Sequence, residues 1–93
     1  NGPVNAMEGA IRQALIPDFQ ELRSVRLVDY KVRVVDQGSG TGAVVRVLVE
    51  STDGVHTWQT VGASPNIIEA SWEAVVDSLE YWLLKYSPSL SKP

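Results

Sequence analysis

Few side chains in this sequence could do chemistry, and they are scattered along the chain. His56 is the single histidine and there is no cysteine, which excludes thiolate metal sites and a cysteine nucleophile. Serines are plentiful, but a serine nucleophile needs a positioned base and an orienting acid. His56 lies two residues before Trp58 in a predicted strand, where nothing in the sequence indicates that geometry. It is predicted to be a solvated or strand-edge histidine.

Two aspartates and a glycine-rich segment are the remaining candidates for catalysis. Asp29 falls on the polar face of a predicted strand, and Asp53 falls in a turn where aspartate is favoured for backbone reasons, so an acid–base pair is disfavoured. Segment 37–42, Gln-Gly-Ser-Gly-Thr-Gly, resembles a phosphate loop, but it joins two strands and lacks the Lys-Ser/Thr ending and the helix N-terminus that bind anions. It is interpreted as a linker or lid. We predict no catalytic residue and no metal site.

Two predicted helix starts offer binding chemistry instead. Residues 1–5, Asn-Gly-Pro-Val-Asn, and residues 62–67, Gly-Ala-Ser-Pro-Asn-Ile, each place a proline at the beginning of a helix. Unpaired N–H groups and the positive end of the helix dipole suit a carboxylate there. Ordinary capping explains the same residues, so the local pattern leaves a ligand role open.

Length and charge limit the class of protein. A chain of 93 residues is one domain that buries roughly 60–65 per cent of its unfolded surface, so a partner subunit would help its stability. Eleven acidic against eight basic residues, without a basic block, disfavour nucleic acid as a partner. No apolar run approaches the ~20 residues that span a bilayer and no signal peptide is apparent, so we expect no membrane partner and a cytoplasmic location. Because the chain opens with Asn1 at a helix entry, we expect it to begin inside a longer polypeptide.

Hydrophobic periodicity predicts an α+β fold in the order helix, three strands, helix. The three strands should form an antiparallel meander, with both helices packed on its one apolar face. Asp53-Gly54 should make a tight hairpin turn, since both positions tolerate left-handed geometry. The predicted elements are a helix from Pro3 to Ile16 ended by Pro17, strands Val28–Val34, Ala43–Ser51 and Val55–Val61, and a long C-terminal helix.

The C-terminal helix carries a heptad-like apolar stripe. Beside it lie small residues, which would let another backbone approach closely. Either Asn66, with Glu69 three residues later, or Ser64 before Pro65 would cap the helix. We expect the tail, 87–93, to be frayed. The stripe is Ile68, Trp72, Val75, Leu79, Trp82 and Tyr86, and the small residues are Ala70, Ser71, Ala74 and Ser78.

Four segments together resemble one protein family. They are Asn-Gly-Pro-Val-x-Ala from Asn1, Leu-Val-Asp-Tyr-Lys-Val-Arg-Val from Leu27, Gly-Thr-x-Ala-Val-Val-Arg-Val-Leu-Val-Glu-Ser ahead of Asp53, and Trp-x-Thr-Val-Gly-x-Ser-Pro-Asn-Ile-Ile-Glu-Ala-Ser-Trp ending at Trp72. This pattern resembles the C-terminal regulatory domain of citramalate synthase and 2-isopropylmalate synthase over nearly the whole chain, to about Lys85. The last segment is closer to the citramalate-synthase-like branch.

The resemblance implies a duplicated βββα regulatory domain, of which residues 1–86 would hold the helix of the first unit and the whole second unit. Such a domain follows a TIM-barrel catalytic domain, an acyltransferase that condenses acetyl-CoA with a 2-oxo acid and uses a divalent metal. This chain would itself be no enzyme and hold no cofactor. It would form a homodimer and bind a branched-chain amino acid, isoleucine or leucine, as feedback inhibitor of isoleucine or leucine biosynthesis.

The resemblance also implies an effector pocket at the dimer interface. Leu27 has the wrong parity to share a strand face with Tyr30, and a bulge would repair this. The position of Asn5 is often acidic in the family, and asparagine would weaken pairing with the ammonium group of an effector. The matching positions are Val4, Asn5, Leu27, Tyr30, Val34, Thr41, Ala43, Val45, Pro65 and Ile67.

Two other functions remain open at this point. Double-stranded-RNA-binding domains share the order αβββα, but they need lysines at the start of the last helix, which here opens with Asn66-Ile-Ile-Glu69. A dimerisation module without a ligand is the third possibility.

Overall fold

The computed structural model describes residues 2–18, 20–36 and 43–86, with the side chains of residues 2–5 and 36 excepted. The predicted α+β order is confirmed. The predicted linker and the predicted frayed tail lie outside the described residues. The elements are α1 (Gly2–Leu15), a short 3-10 helix (Gln20–Ser24), β1 (Arg26–Asp36), β2 (Ala43–Thr52), β3 (Thr57–Ser64) and α2 (Ile67–Tyr86).

The sheet is antiparallel in the order β1-β2-β3, as the alternating pattern predicts. Leu27 pairs with Ser51 and Asp29 with Glu50, which leaves Val28 as an extra residue in a β-bulge. The extra residue turns Leu27 onto the same face as Tyr30. The bulge that the sequence alone could not establish is therefore present.

One face of the sheet, the inner face, carries the core. Along β2 the side chains of Val47, Val49 and Ser51 are buried on this face, while Arg46 points the other way and is exposed. The 3-10 helix contributes Leu22, which is fully buried and stabilises the fold by about 1.5–3 kcal/mol on transfer arguments. The core cluster also includes Ile11 from α1, so both helices lie on one side of the sheet. Its members are Ile11, Leu22, Val25, Val47, Val49, Trp58, Ala70, Ala74, Val75, Leu79, Trp82 and Leu83.

Helix α2 approaches β3 more closely than ordinary side chains allow. A Cβ added to Gly62 would overlap the Ala70 carbonyl oxygen and lie 2.8 Å from the Ala74 nitrogen. The Thr60 hydroxyl donates to the Ala74 carbonyl at 2.7 Å across the same seam. The small residues of α2 therefore admit a neighbouring backbone, as predicted, and that backbone belongs to the chain's own third strand.

The close contact between β3 and α2 displaces the apolar stripe of α2 from the centre of the interface. Val75, Leu79 and Trp82 are buried, but Ile68 is 50% and Trp72 52% exposed. The first two members of the stripe therefore lie outside the core, and the next three lie in it. With small residues facing Gly62, the large side chains of the first turns lie to the side of the contact. Among the described residues, no helix is both long and apolar enough to cross a membrane.

The connection between β2 and β3 is longer than predicted. Within this connection, residues 53–56, Gly54 alone has a positive φ, of 94°, and β3 begins at Thr57 rather than Val55. The Asp53 carboxylate explains both differences, because its Oδ1 accepts the backbone N–H groups of Val55 at 2.8 Å and His56 at 2.6 Å. Such a side-chain turn holds these two residues out of the strand.

Candidate ligand-binding cleft

The inner face of β1 is only partly covered. Helix α2 packs on β2 and β3 and reaches β1 through a 3.3 Å hydrogen bond between the Tyr30 hydroxyl and Ser71 Oγ. Beyond that bond, Val32 and Val34 point to the same side as the core but are 40% and 65% exposed. We call Tyr30, Val32 and Val34 the open strip. It is an apolar surface on the side where the rest of the sheet is buried.

The strand register brings several predicted site residues to one end of the open strip. Val34 pairs with Val45, and Val45 pairs with Ser64, so one row crosses all three strands. Ala43 precedes Val45 by two residues and lies on the same face. The structure therefore places Val34, Val45 and Ala43 together, although they come from two strands.

The row of Val34, Val45 and Ser64 ends beside the start of α2. Pro65 follows Ser64 directly, and Ile67 is the first residue of the helix. Both Pro65 and Ile67 are exposed. Five of the ten predicted site residues thus meet at this end of the sheet, and Tyr30 lies farther along the same face.

Leu27 lies apart from this group. It is partly buried against the core and pairs with Ser51, six residues along β2 from the partner of Val34. This corresponds to roughly 20 Å along the strand. Val4 and Asn5 belong to the first turn of α1, but their side chains are outside the described ones, as is the whole of Thr41.

Capping groups occupy most of the donors at the start of α2. Asn66 Oδ1 accepts from the N–H groups of Ile68 at 2.8 Å and Glu69 at 3.2 Å, so Asn66 is the N-cap. Ser64 Oγ accepts from the Asn66 N–H at 3.1 Å and donates to the Glu69 carboxylate at 2.6 Å. Both predicted caps are used. Within the described residues, the Ile67 N–H is the first-turn donor of α2 left without a partner.

A second polar cluster, at the other end of the sheet, was not anticipated from the sequence. The Asp53 carboxylate accepts from the Trp82 indole at 2.8 Å and faces His56 Nδ1 at 3.0 Å, while the side chain of Asp53 is only 10% exposed. Burial opposes ionisation, but the hydrogen bonds from His56, Trp82 and Val55 outweigh it and hold the pKa of Asp53 well below its usual range.

His56 does not lie where the sequence predicted. It precedes β3, it is half-buried, and its ring stacks on Tyr86 with centroids 3.9 Å apart and planes 13° apart. The predicted place inside the strand is therefore wrong, but the side chain is 43% exposed directly before the edge strand β3, in agreement with a solvated or strand-edge residue. The Asp-x-x-His spacing around a turn could have predicted the contact between Asp53 and His56. An aspartate that opens a side-chain turn brings the residue three positions later close to its own carboxylate.

Comparison with known proteins identifies the class of domain. The family model for the LeuA allosteric (dimerisation) domain matches residues 1–83. The chain belongs to this family. It is therefore a regulatory domain that dimerises, and the resemblance deduced from the four sequence segments is confirmed.

The relatives narrow the family further. The chain is 52% identical over 85 residues to an (R)-citramalate synthase of Aquifex aeolicus and, to the same degree, to one of Geobacter sulfurreducens, covering 91% of this chain in each case. It is 32% identical over 82 residues, 88% of this chain, to a probable 2-isopropylmalate synthase of Archaeoglobus fulgidus. The chain spans 16% of the length of the first two relatives and 15% of the third. No solved structure is significantly similar to it.

Proposed function

We propose that this domain binds a branched-chain amino acid, isoleucine or leucine, and thereby regulates a citramalate or 2-isopropylmalate synthase by feedback. The observation that carries the proposal is the apolar end of the sheet, where Val34 and Val45 pair beside the start of α2 and Val34 is largely exposed. A stable small domain has no structural need for an uncovered valine on its core side. A ligand or a second copy would cover it.

The residues around this end suit an aliphatic amino acid. Val34, Val45 and Ile67 offer an apolar surface, and complete burial of a leucine-sized side chain contributes about 1.5–3 kcal/mol. Apolar walls with a few polar groups are typical of small-molecule sites. Ser64 lies in the same row as Val34 and Val45, and the Tyr30 hydroxyl and Ser71 Oγ lie farther along the open strip.

The charged groups of the amino acid need separate partners. The first turn of α1 has the backbone donors and dipole that suit a carboxylate, and Asn5 would lie near the ammonium group. Because the start of α2 is largely self-capped, α1 is the better carboxylate site of the two. Leu27 and Thr41 would complete the pocket as the resemblance implies.

A second copy would close the pocket over the open strip. An amino acid that prefers one arrangement of the dimer then shifts its population, by a coupling of about 1–3 kcal/mol in typical cases. An upstream TIM barrel with acetyl-CoA and a divalent metal would receive that signal. The cytoplasmic location also stays a prediction.

Thermal unfolding with added amino acids tests the proposal. A ligand at one hundred times its Kd adds about 2.7 kcal/mol to the stability of the folded state, which raises the Tm of a domain this size by roughly 10–20 °C. We expect isoleucine or leucine to give the largest shift, valine less, and alanine and D-isoleucine none. If every branched-chain amino acid fails in a sample shown to be dimeric, the domain is a dimerisation module without a ligand.

Duplex RNA provides the contrasting test. The start of α2 exposes Glu69 rather than lysines, so we expect no gel shift at any salt concentration. A salt-sensitive shift would favour the RNA-binding alternative over feedback regulation.

A further inference from the structure

The outer face of the sheet, opposite to α2, carries two arginines that face each other. Arg33 on β1 is paired directly with Arg46 on β2, which places their Cβ atoms about 4.5–5.5 Å apart. Like charges in this position destabilise a sheet. Both side chains are exposed and, within the described part of the chain, neither makes an ion pair or a hydrogen bond. The fold gives no reason for the pair, whereas an anion between the two guanidinium groups would supply one.

A depression of about 650 Å³ lies beside the arginine pair, and its lining includes both arginines, Lys31, Leu48 and Val61. The last three residues form the next row across the strands, because Lys31 pairs with Leu48 and Leu48 pairs with Val61. This row is roughly 7 Å from the arginine pair. We call this surface the outer depression. It has two guanidinium groups at one end and an apolar floor with a lysine at its β1 side.

Two acidic residues lie beyond the other end of the outer depression. Asp29 is paired with Glu50, two residues past the row of Leu48 and roughly 13 Å from the arginine pair. Lys31 Nζ approaches the Asp29 carboxylate at 3.8 Å, whereas Glu50 has no ion pair or hydrogen bond from its side chain to another described residue. An ionised carboxylate only accepts hydrogen bonds. The face therefore changes from positive through apolar to negative along the strands.

We propose that the outer depression binds a phosphorylated small molecule of the nucleoside monophosphate type. The phosphate lies between Arg33 and Arg46, where each planar guanidinium can donate two parallel hydrogen bonds to it. The ring system lies on Leu48 and Val61. An amino group at the far end of the ring donates to Glu50.

The size and the order of the groups favour this class of ligand. A volume of about 650 Å³ lies within the roughly 300–1,000 Å³ of small-molecule sites, which combine apolar walls with a few placed polar groups. A nucleoside monophosphate carries its anion at one end, a flat ring system in the middle and amino donors at the other end. The same order runs along the outer face, from the arginine pair to the acidic pair.

A membrane surface or a nucleic acid fits this face less well. Both present phosphates at regular intervals, so some of them would meet Asp29 and Glu50, and the chain carries a net charge of −3. A single phosphate at the arginine pair avoids this repulsion, because exposed charges farther apart than about 10 Å are largely screened at about 0.1 M salt. The outer depression lies on the opposite side of the sheet from the proposed effector cleft, so the inference does not depend on amino-acid binding.

Titration of the whole chain with AMP tests the proposal. Backbone amide resonances in two-dimensional ¹⁵N–¹H spectra report both the Kd and the place of binding. We expect the resonances of residues 31–33, 46–48 and 61 to shift, and those of residues 66–69 at the start of α2 to stay in place. AMP should bind at least tenfold more tightly than inorganic phosphate or adenosine, since each of these lacks one half of the contacts.

Two variants and a control separate the contributions. R33Q/R46Q should weaken AMP binding at least tenfold, and its Tm should not fall below that of wild type, because the like-charge pair is gone. R23Q/K85Q, at exposed positions of the 3-10 helix and α2, makes the same charge change and should bind AMP as wild type does. L48S alters the apolar floor, so it should weaken AMP and leave inorganic phosphate unchanged.

Four outcomes would overturn the proposal. If millimolar AMP shifts no resonance of the outer face, the depression holds no such ligand. Equal affinities for AMP and inorganic phosphate would reduce it to a bare anion site. Unchanged binding by R33Q/R46Q would remove the arginine clamp. Cosedimentation with phosphatidylglycerol vesicles, without AMP binding, would assign the face to a membrane. Loss of the isoleucine response alone would sink the feedback proposal and leave this site standing.

Discussion

Trp82 donates its indole N–H to the Asp53 carboxylate at 2.8 Å, across 29 positions of the chain. This bond ties the last turns of α2 to the loop between β2 and β3. The same carboxylate also accepts two backbone N–H groups of the loop, so one side chain organises the loop and anchors the helix to it.

Substitution of Asp53 by asparagine should therefore destabilise the domain. Hydrogen bonds to an ionised acceptor each contribute about 1.5–3 kcal/mol, and asparagine keeps part of the geometry without the charge. We expect a loss of about 2 kcal/mol in urea unfolding. The control is Asp77→Asn on the exposed surface of α2, which should change the stability by less than about 0.5 kcal/mol. Equal effects of the two substitutions would contradict the anchoring role of Asp53.

The same group predicts how stability depends on pH. Its pKa in the folded state lies below the unfolded value near 4, so the ionised carboxylate stabilises the fold. This contribution is fully present above that value and is lost as the pH falls toward the folded pKa. Between about pH 5 and pH 3, wild type should therefore lose more stability than D53N. Urea midpoints over this range provide the measurement, and parallel curves for the two proteins would rule the linkage out.

Substitution of Gly62 by alanine should be severe. The added Cβ meets backbone atoms of Ala70 and Ala74, which cannot rotate away as a side chain can. We expect a loss of at least about 2–3 kcal/mol, in the range of overpacked cores. Gly9→Ala is the matched control, because nothing lies within 4 Å of its added Cβ and it sits inside α1, where alanine should gain up to about 1 kcal/mol. Thermal melts of both variants check the pair, and a mild effect at Gly62 would mean that α2 can move away from β3.

Substitution of Val34 by aspartate tests the proposed cleft separately from stability. Val34 is largely exposed, so the free protein should lose little, while a carboxylate in an apolar pocket should weaken isoleucine binding at least tenfold. Val55→Asp, at the exposed loop at the other end of the sheet, is the control and should bind as wild type does. Isothermal titration calorimetry measures both. Unchanged binding by V34D would place the pocket elsewhere.

The secondary structure follows closely from local patterns. Alternation of apolar and polar residues located β1 and β2, and the 3.6-residue period located both helices, because these periods reflect which side of a strand or helix is buried. The resemblance to the regulatory family rests on the same residues, and it predicts Val34 and Val45 as site positions, which the strand register pairs with each other.

Where each large side chain points was decided by tertiary contacts. Leu27 shares a face with Tyr30 only because Val28 bulges out of the strand, and a simple alternation cannot reveal an inserted residue. Trp72 is half-exposed although it lies on the apolar stripe, because the contact of Gly62 with α2 admits only small residues.

The sequence by itself therefore determined the order of the elements, their approximate limits and the family. The tertiary structure alone decided that the Asp53 carboxylate would meet Trp82 and that Val34 would be left uncovered. These features depend on strand register and on the distance between layers, which join residues far apart in the chain and leave no periodic trace in it.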